Sequence, residues 1–153
     1  MTTAPTTDPT TGSIPAAADA AGTAPGQPTS VPPTAGAVAW FEIGSTDPAS
    51  AQEFYGDLFG WTFAAEDVGI PYLAIATGAE GSLGGGIADT SAQGVAYATV
   101  CVRVADVAAT LAAVPGLGGE VVAGPIPLST GMVIGYLRDR EGSVVALFTP
   151  PGA

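Results

Sequence analysis

The chain has no histidine and no lysine, a single cysteine and three arginines among 153 residues. Each scarcity removes a class of chemistry. Without histidine there is no Ser-His or Cys-His nucleophile pair and no imidazole ligand for a transition metal. One cysteine, Cys101, closes no internal disulfide, which fits a reducing compartment and a cytoplasmic location. Arg103, Arg138 and Arg140 are the only basic side chains against fourteen acidic ones, for a net charge of -11. So acidic a surface repels phosphate backbones and anionic lipid, so neither nucleic acid nor membrane is expected as a partner. No apolar run approaches the roughly 20 residues of a membrane-spanning helix.

Residues 1–37 contain seven prolines, nine threonines and nine alanines, with no aromatic or basic residue. Such a stretch buries too little apolar surface to offset its ordering entropy and reads as a disordered tail. It lacks the basic start and continuous apolar segment of a secretory signal. Residues 38–153 form the expected folded domain.

What that domain contains is a repeat. Trp40-Phe41-Glu42-Ile43-Gly44-Ser45-Thr46-Asp47 and Thr99-Val100-Cys101-Val102-Arg103-Val104-Ala105-Asp106 each read as an alternating strand ending at an aspartate suited to cap a helix. Pro48 suits a first helical position, and Ala51, Phe54, Tyr55, Leu58 and Phe59 mark one apolar helix face closed by Gly60. Strands follow at 61–63, 72–77 and, more weakly, 82–88. In the second half, Val107, Leu111 and Val114 share a helix face, and 120–123, 132–137 and 144–148 read as strands. Asp139-Arg140-Glu141-Gly142 reads as a tight turn, with Gly142 free to take a positive φ. The fold class is therefore α+β: two β-α-β-β-β modules, 38–89 and 95–150, pairing into a curved mixed sheet around a pocket.

These residues resemble the vicinal oxygen chelate superfamily, which includes glyoxalase I, bleomycin-resistance proteins and extradiol dioxygenases. The likeness rests on Trp40-Phe41-Glu42-Ile43, Asp47-Pro48, Phe54-Tyr55 and Phe59-Gly60-Trp61, and on the closing Asp139-Arg140-Glu141-Gly142 hairpin, where Arg140 stands in place of the family's proline. It spans residues 38–150. The resemblance implies frequent homodimers and four inward positions that hold metal ligands in the family's active enzymes. Three of these correspond to Trp40, Thr99 and Ala146, and the fourth falls within 84–88; none offers a usual ligand. The expectation is a domain that needs no metal and no cofactor.

Trp40 and Glu42 share a strand face, so both look into the expected pocket. The indole could stack on a flat ligand or simply fill space left by a lost metal. Glu42 pays for its burial unless it is paired or functional. It could act as a general base if the protein is an enzyme, bind a ligand, or pair with Arg103. Thr99, Cys101 and Arg103 share the matching face of the second module. Cys101 reads chiefly as a small buried hydrophobe. Tyr72, Tyr97 and Tyr136 could each offer a phenol, with Tyr72 and Tyr136 the preferred binding candidates, and Phe148 and Met132 are wall candidates. Gly84-Gly85-Gly86 precedes no helix and no Lys-Ser/Thr, so it reads as a closely packed strand rather than a phosphate cradle.

Three functions are compatible with this pattern. The first is a metal-independent small-molecule-binding protein, for example one sequestering a natural product or antibiotic, with a cationic ligand favoured by the acidic charge. The second is a metal-free isomerase, cyclase or lyase using Glu42 as base with a tyrosine or Arg103 as electrophile. The third is a degenerate domain that serves only as an interaction partner.

Overall fold

The computed structural model describes residues 35–152; the segment read as a disordered tail lies outside the described residues except for its last three. Two of those already pair with the fold: Gly36 donates its N–H to the Arg103 carbonyl at 2.7 Å, and Arg103 donates to that of Ala37 at 2.9 Å.

Eight strands and two helices follow in the order β1 (Val38–Ser45), α1 (Pro48–Phe59), β2 (Thr62–Asp67), β3 (Pro71–Ala76), β4 (Gly85–Asp89), β5 (Tyr97–Arg103), α2 (Val107–Ala113), β6 (Glu120–Pro127), β7 (Val133–Arg138) and β8 (Val144–Thr149). The strands form one mixed sheet in the order β2-β3-β4-β1-β5-β8-β7-β6. The order is a palindrome of the two modules. Each first strand lies parallel to its module's last strand, β1 with β4 and β5 with β8, and the modules join where β1 runs antiparallel to β5. This is the α+β architecture of paired modules expected from the repeat. The sheet is not closed: β2 and β6 are its edges. Its curvature nevertheless brings their ends together, and Ser129 donates its N–H to the Val68 carbonyl at 3.3 Å, linking the β6–β7 and β2–β3 turns.

Local chemistry explains the elements. Asp47 accepts from the Ser50 N–H at 3.1 Å and Asp106 from the Ala109 N–H at 2.9 Å, so both helices begin on a side-chain cap. Gly60 ends α1 in the left-handed conformation, φ 69°, and donates back to the Gly56 carbonyl. In the β7–β8 hairpin, the Asp139 carboxylate accepts from the N–H groups of Glu141 and Ser143, both at 2.9 Å.

Both helices lie on the convex face. Val107 and Leu111 of α2 form the core there with Leu147 of β8. Gly135 permits this packing, since a Cβ at that position would meet both helix side chains. The first helix is covered less than its apolar stripe suggests. Tyr55 stacks on Trp61 at 5.6 Å between centroids. Phe54, Leu58 and Phe59 remain 59%, 58% and 54% exposed. The stripe expected to face the core is thus only partly buried, because α1 meets the sheet along its Tyr55–Gly56 side.

Candidate functional site

The concave face encloses a cavity of about 280 Å³. Both modules build it. Trp40 and Glu42 enter from β1, Tyr72 from β3, Cys101 from β5, Tyr136 from β7, and Ala146 and Phe148 from β8. The alternation of each strand sets this composition. Trp40 pairs with Cys101 and Glu42 with Thr99, so the inward residues of β1 and β5 share one surface.

Glu42 is the polar centre. It is 7% exposed, yet no arginine holds it. Instead Tyr97 donates its phenol proton to Oε1 at 2.7 Å, and Tyr136 donates to the same oxygen at 2.8 Å. Beside it Trp40 donates Nε1–H to the Tyr72 hydroxyl at 2.9 Å. The phenols are pushed above the ordinary tyrosine range, first by burial and then by the negative charge of Glu42. They are protonated donors at neutral pH. Burial, and again Glu42, pushes the Cys101 thiol up to about 12. Cys101 is therefore not a thiolate nucleophile at neutral pH.

Glycine makes room for these rings. A Cβ on Gly44 would run into the Tyr97 ring, and one on Gly86 into the Tyr72 phenol. The Gly84–Gly86 run is thus a closely packed stretch on which large side chains lie; strand pairing begins only at Gly85, opposite Phe41.

The candidates named from the sequence divide into two groups. Trp40, Glu42, Tyr72, Cys101, Tyr136 and Phe148 line one cavity. Thr99 and Arg103 do not line it. The Thr99 hydroxyl is turned to the Val144 carbonyl, 2.7 Å away, bridging β5 to the start of β8. Arg103 lies at the far end of β5, opposite Phe148, and the two tyrosines take the place beside Glu42 that the sequence offers to Arg103. Tyr97 is the residue that the preference for Tyr72 and Tyr136 misses, although its parity with Thr99 and Cys101 places it on the same face. The outer wall, including Glu66, Val68 and Leu128, comes from edge strands and turns whose inward side the sequence does not reveal.

The four positions at which the resemblance locates metal ligands carry an indole, a committed hydroxyl, a methyl group and a glycine-rich strand. Among the described residues, no group of three or more His, Cys, Asp or Glu side chains could hold a metal ion. The donor set does not fit the transition metal of the family's active enzymes.

Residues 37–147 match the family model of the Glyoxalase/Bleomycin resistance protein/Dioxygenase superfamily. The chain belongs to that superfamily. A glyoxylase-like domain-containing protein of Didymella fabae is 32% identical over 123 residues, covering 76% of this chain and 96% of its own. Among solved structures, a hypothetical protein from Bacillus halodurans C-125 aligns with a TM-score of 0.56 at 12% identity, covering 78% of this chain and 98% of that one. A Streptomyces coelicolor methylmalonyl-CoA epimerase variant, in complex with 2-nitronate-propionyl-CoA, aligns with a TM-score of 0.53 at 20% identity, covering 78% and 100%. At these identities the structural matches speak for the fold.

Proposed function

We propose that this superfamily member is a metal-independent small-molecule-binding protein of the glyoxalase/bleomycin-resistance type, with the concave cavity as its binding site. One observation carries the reading. The inward face carries a largely apolar cavity, while the positions of the usual metal ligands hold Trp40, Thr99, Ala146 and a residue within 84–88 that offers no ligand. A cavity with a few placed polar groups suits a small organic ligand. Trp40 and Tyr72 would contact its body, and Glu42 would fix its orientation. Sequestration of a natural product or antibiotic in the cytoplasm, by a homodimer, is the role we infer. The cavity facing Trp40 favours this reading over a domain kept only for protein contacts.

The acyl-CoA ligands named for the epimerase neighbours are not carried over. Their phosphates require cations, and none of the three arginines lines the cavity.

A metal-free isomerase, cyclase or lyase is the second reading, favoured by one observation: a buried carboxylate, Glu42, stands in a largely apolar cavity. Metal analysis of the purified protein and a Glu42→Gln variant test both. A stoichiometric metal that survives chelation and is needed for ligand binding overturns the main reading. A ligand that is converted by the wild type, but only bound by Glu42→Gln, establishes the enzyme. Light scattering of the full chain checks the dimer.

A further inference from the structure

The cavity meets solvent beside two hairpin turns. Among the residues that line it, only Glu66 and Ile70 are exposed, and they flank Val68 and Gly69 at the β2–β3 turn. Val68 and Leu128, one from each turn, line it as well. The β6–β7 turn faces this one, and the Ser129 N–H reaches the Val68 carbonyl at 3.3 Å. A Cβ on Gly69 would stand 3.2 Å from Ser129 Oγ, so the two turns touch.

The contact is thin. Among the described residues, one hydrogen bond links the two hairpins. Both tips also overhang the sheet. β3 pairs with β4 from Tyr72 to Ile75, and β7 with β8 from Val133 to Arg138. Residues 67–71 and 128–132 therefore lean on their own hairpins, and β2 and β6, as edges, have no outer neighbour. Segments of this kind lie at the low end of a fold's local stability. Deeper in, Tyr97 and Tyr136 on Glu42 tie β5 and β7 to β1, so that end stays shut when the tips part.

A pocket that encloses most of its ligand has to open to admit it. We propose that the β2–β3 and β6–β7 turns are the gate of the cavity: the bond from Ser129 to Val68 holds them together, and a small molecule enters and leaves when they separate. The proposal rests on the small-molecule-binding reading and adds how that site is reached. Opening breaks one hydrogen bond and leaves the core of Val107, Leu111 and Leu147 in place.

The test needs no ligand. Cys101 lines the cavity, is buried and is the only cysteine of the chain, so its alkylation counts openings. Gly131 donates to the Leu128 carbonyl at 3.0 Å, which makes Ser129 the second residue of a tight turn, a place that proline favours. Ser129→Pro thus keeps the turn and removes the N–H that closes the gate. Iodoacetamide at about pH 8 should label Cys101 in this variant about two- to tenfold faster than in wild type, the factor that one hydrogen bond supplies. The rate should be flat in dilute urea, because a local opening exposes little surface. Gly69→Ala works from the other side: its methyl crowds Ser129, and φ 85° disfavours any side chain. It should speed labelling likewise, and it decides the matter if the proline variant folds poorly. Labelling of Ser129→Pro at the wild-type rate, or a rate that climbs with urea as steeply as global unfolding, overturns the gate. Either result leaves the binding reading intact, since a ligand then has another way in. The binding reading falls instead on the metal analysis, which these rates do not touch.

Discussion

Tyr136 donates its phenol proton to Glu42 Oε1 at 2.8 Å across 94 residues of sequence. The bond ties β7 of the second module to β1 of the first, through the cavity rather than along the sheet. Tyr97 makes the companion bond from β5 at 2.7 Å. The polar centre of the site is therefore also a stitch between modules.

That double role makes Tyr136→Phe informative. The change keeps the ring and deletes a hydrogen bond to a buried carboxylate, which costs about 1.5–3 kcal/mol. We expect a loss near the lower figure, because Tyr97 still serves the same oxygen. Urea denaturation should show a lower midpoint with an unchanged m-value. In the Glu42→Gln background the same change should cost less, giving a coupling energy of about 1 kcal/mol in a double-mutant cycle. Strict additivity would mean that the phenol and the carboxylate do not act on one another.

The site also predicts how stability responds to alkali. Burial and Glu42 raise the folded-state pKa of Tyr72, Tyr97 and Tyr136 above the ordinary 10.0, and that of Cys101 from 9.0 to about 12. A raised pKa means that the folded state keeps the proton after the unfolded chain has lost it. The stabilisation is full below pH 9 and declines as pH rises through 9 for Cys101 and 10 for the tyrosines. Tm should accordingly fall from about pH 9 upward. Cys101→Ala should delay the onset by about one pH unit, since the tyrosines then titrate first. A Tm flat to about pH 11 would contradict the assigned burial.

Much of this was legible locally. Period-two and period-3.6 patterns, the Asp47 and Asp106 caps and Gly60 depend on neighbours within a few residues, and they produced the repeat and its α+β class. The parity of Trp40 and Glu42 held for the same reason. Contacts set by distant chain were less accessible. Which side chain reaches Glu42 depends on strand order, so the sequence points to Arg103 and not to the two phenols that hold the carboxylate. The apolar stripe of α1 showed that a face exists, but not how much of it the sheet covers, and Phe54 and Leu58 stayed outside. The outer cavity wall depends on curvature, which no periodicity encodes.

Cys101 should resist thiol reagents. It is 6% exposed, and its thiol is pushed up to about 12 by burial and by Glu42. Access and thiolate content both limit alkylation. Iodoacetamide at about pH 8 should label the native protein at least 100-fold more slowly than the urea-unfolded chain. Rapid labelling in the native state would show that the cavity opens to reagent at a rate the packed geometry does not suggest.

The most local of these expectations concerns Gly86. It pairs with Glu42 and Ala74, and a Cβ there would overlap the Tyr72 phenol. In Gly86→Ala the ring must move, since the methyl is fixed to the backbone and both neighbouring strands hold the strand in place. Moving it breaks the 2.9 Å bond from Trp40 Nε1 and pushes the phenol into the cavity. Overpacking of this kind costs about 1–3 kcal/mol. The indole loses its acceptor, so Trp fluorescence should change along with the stability. Restoring space with Gly86→Ala/Tyr72→Leu should recover part of the stability, because the ring edge at the point of overlap is removed together with the hydroxyl. If Gly86→Ala is as stable as wild type and its fluorescence is unchanged, the ring does not rest on the glycine, and the packing of this wall is not what holds Trp40 toward the ligand space.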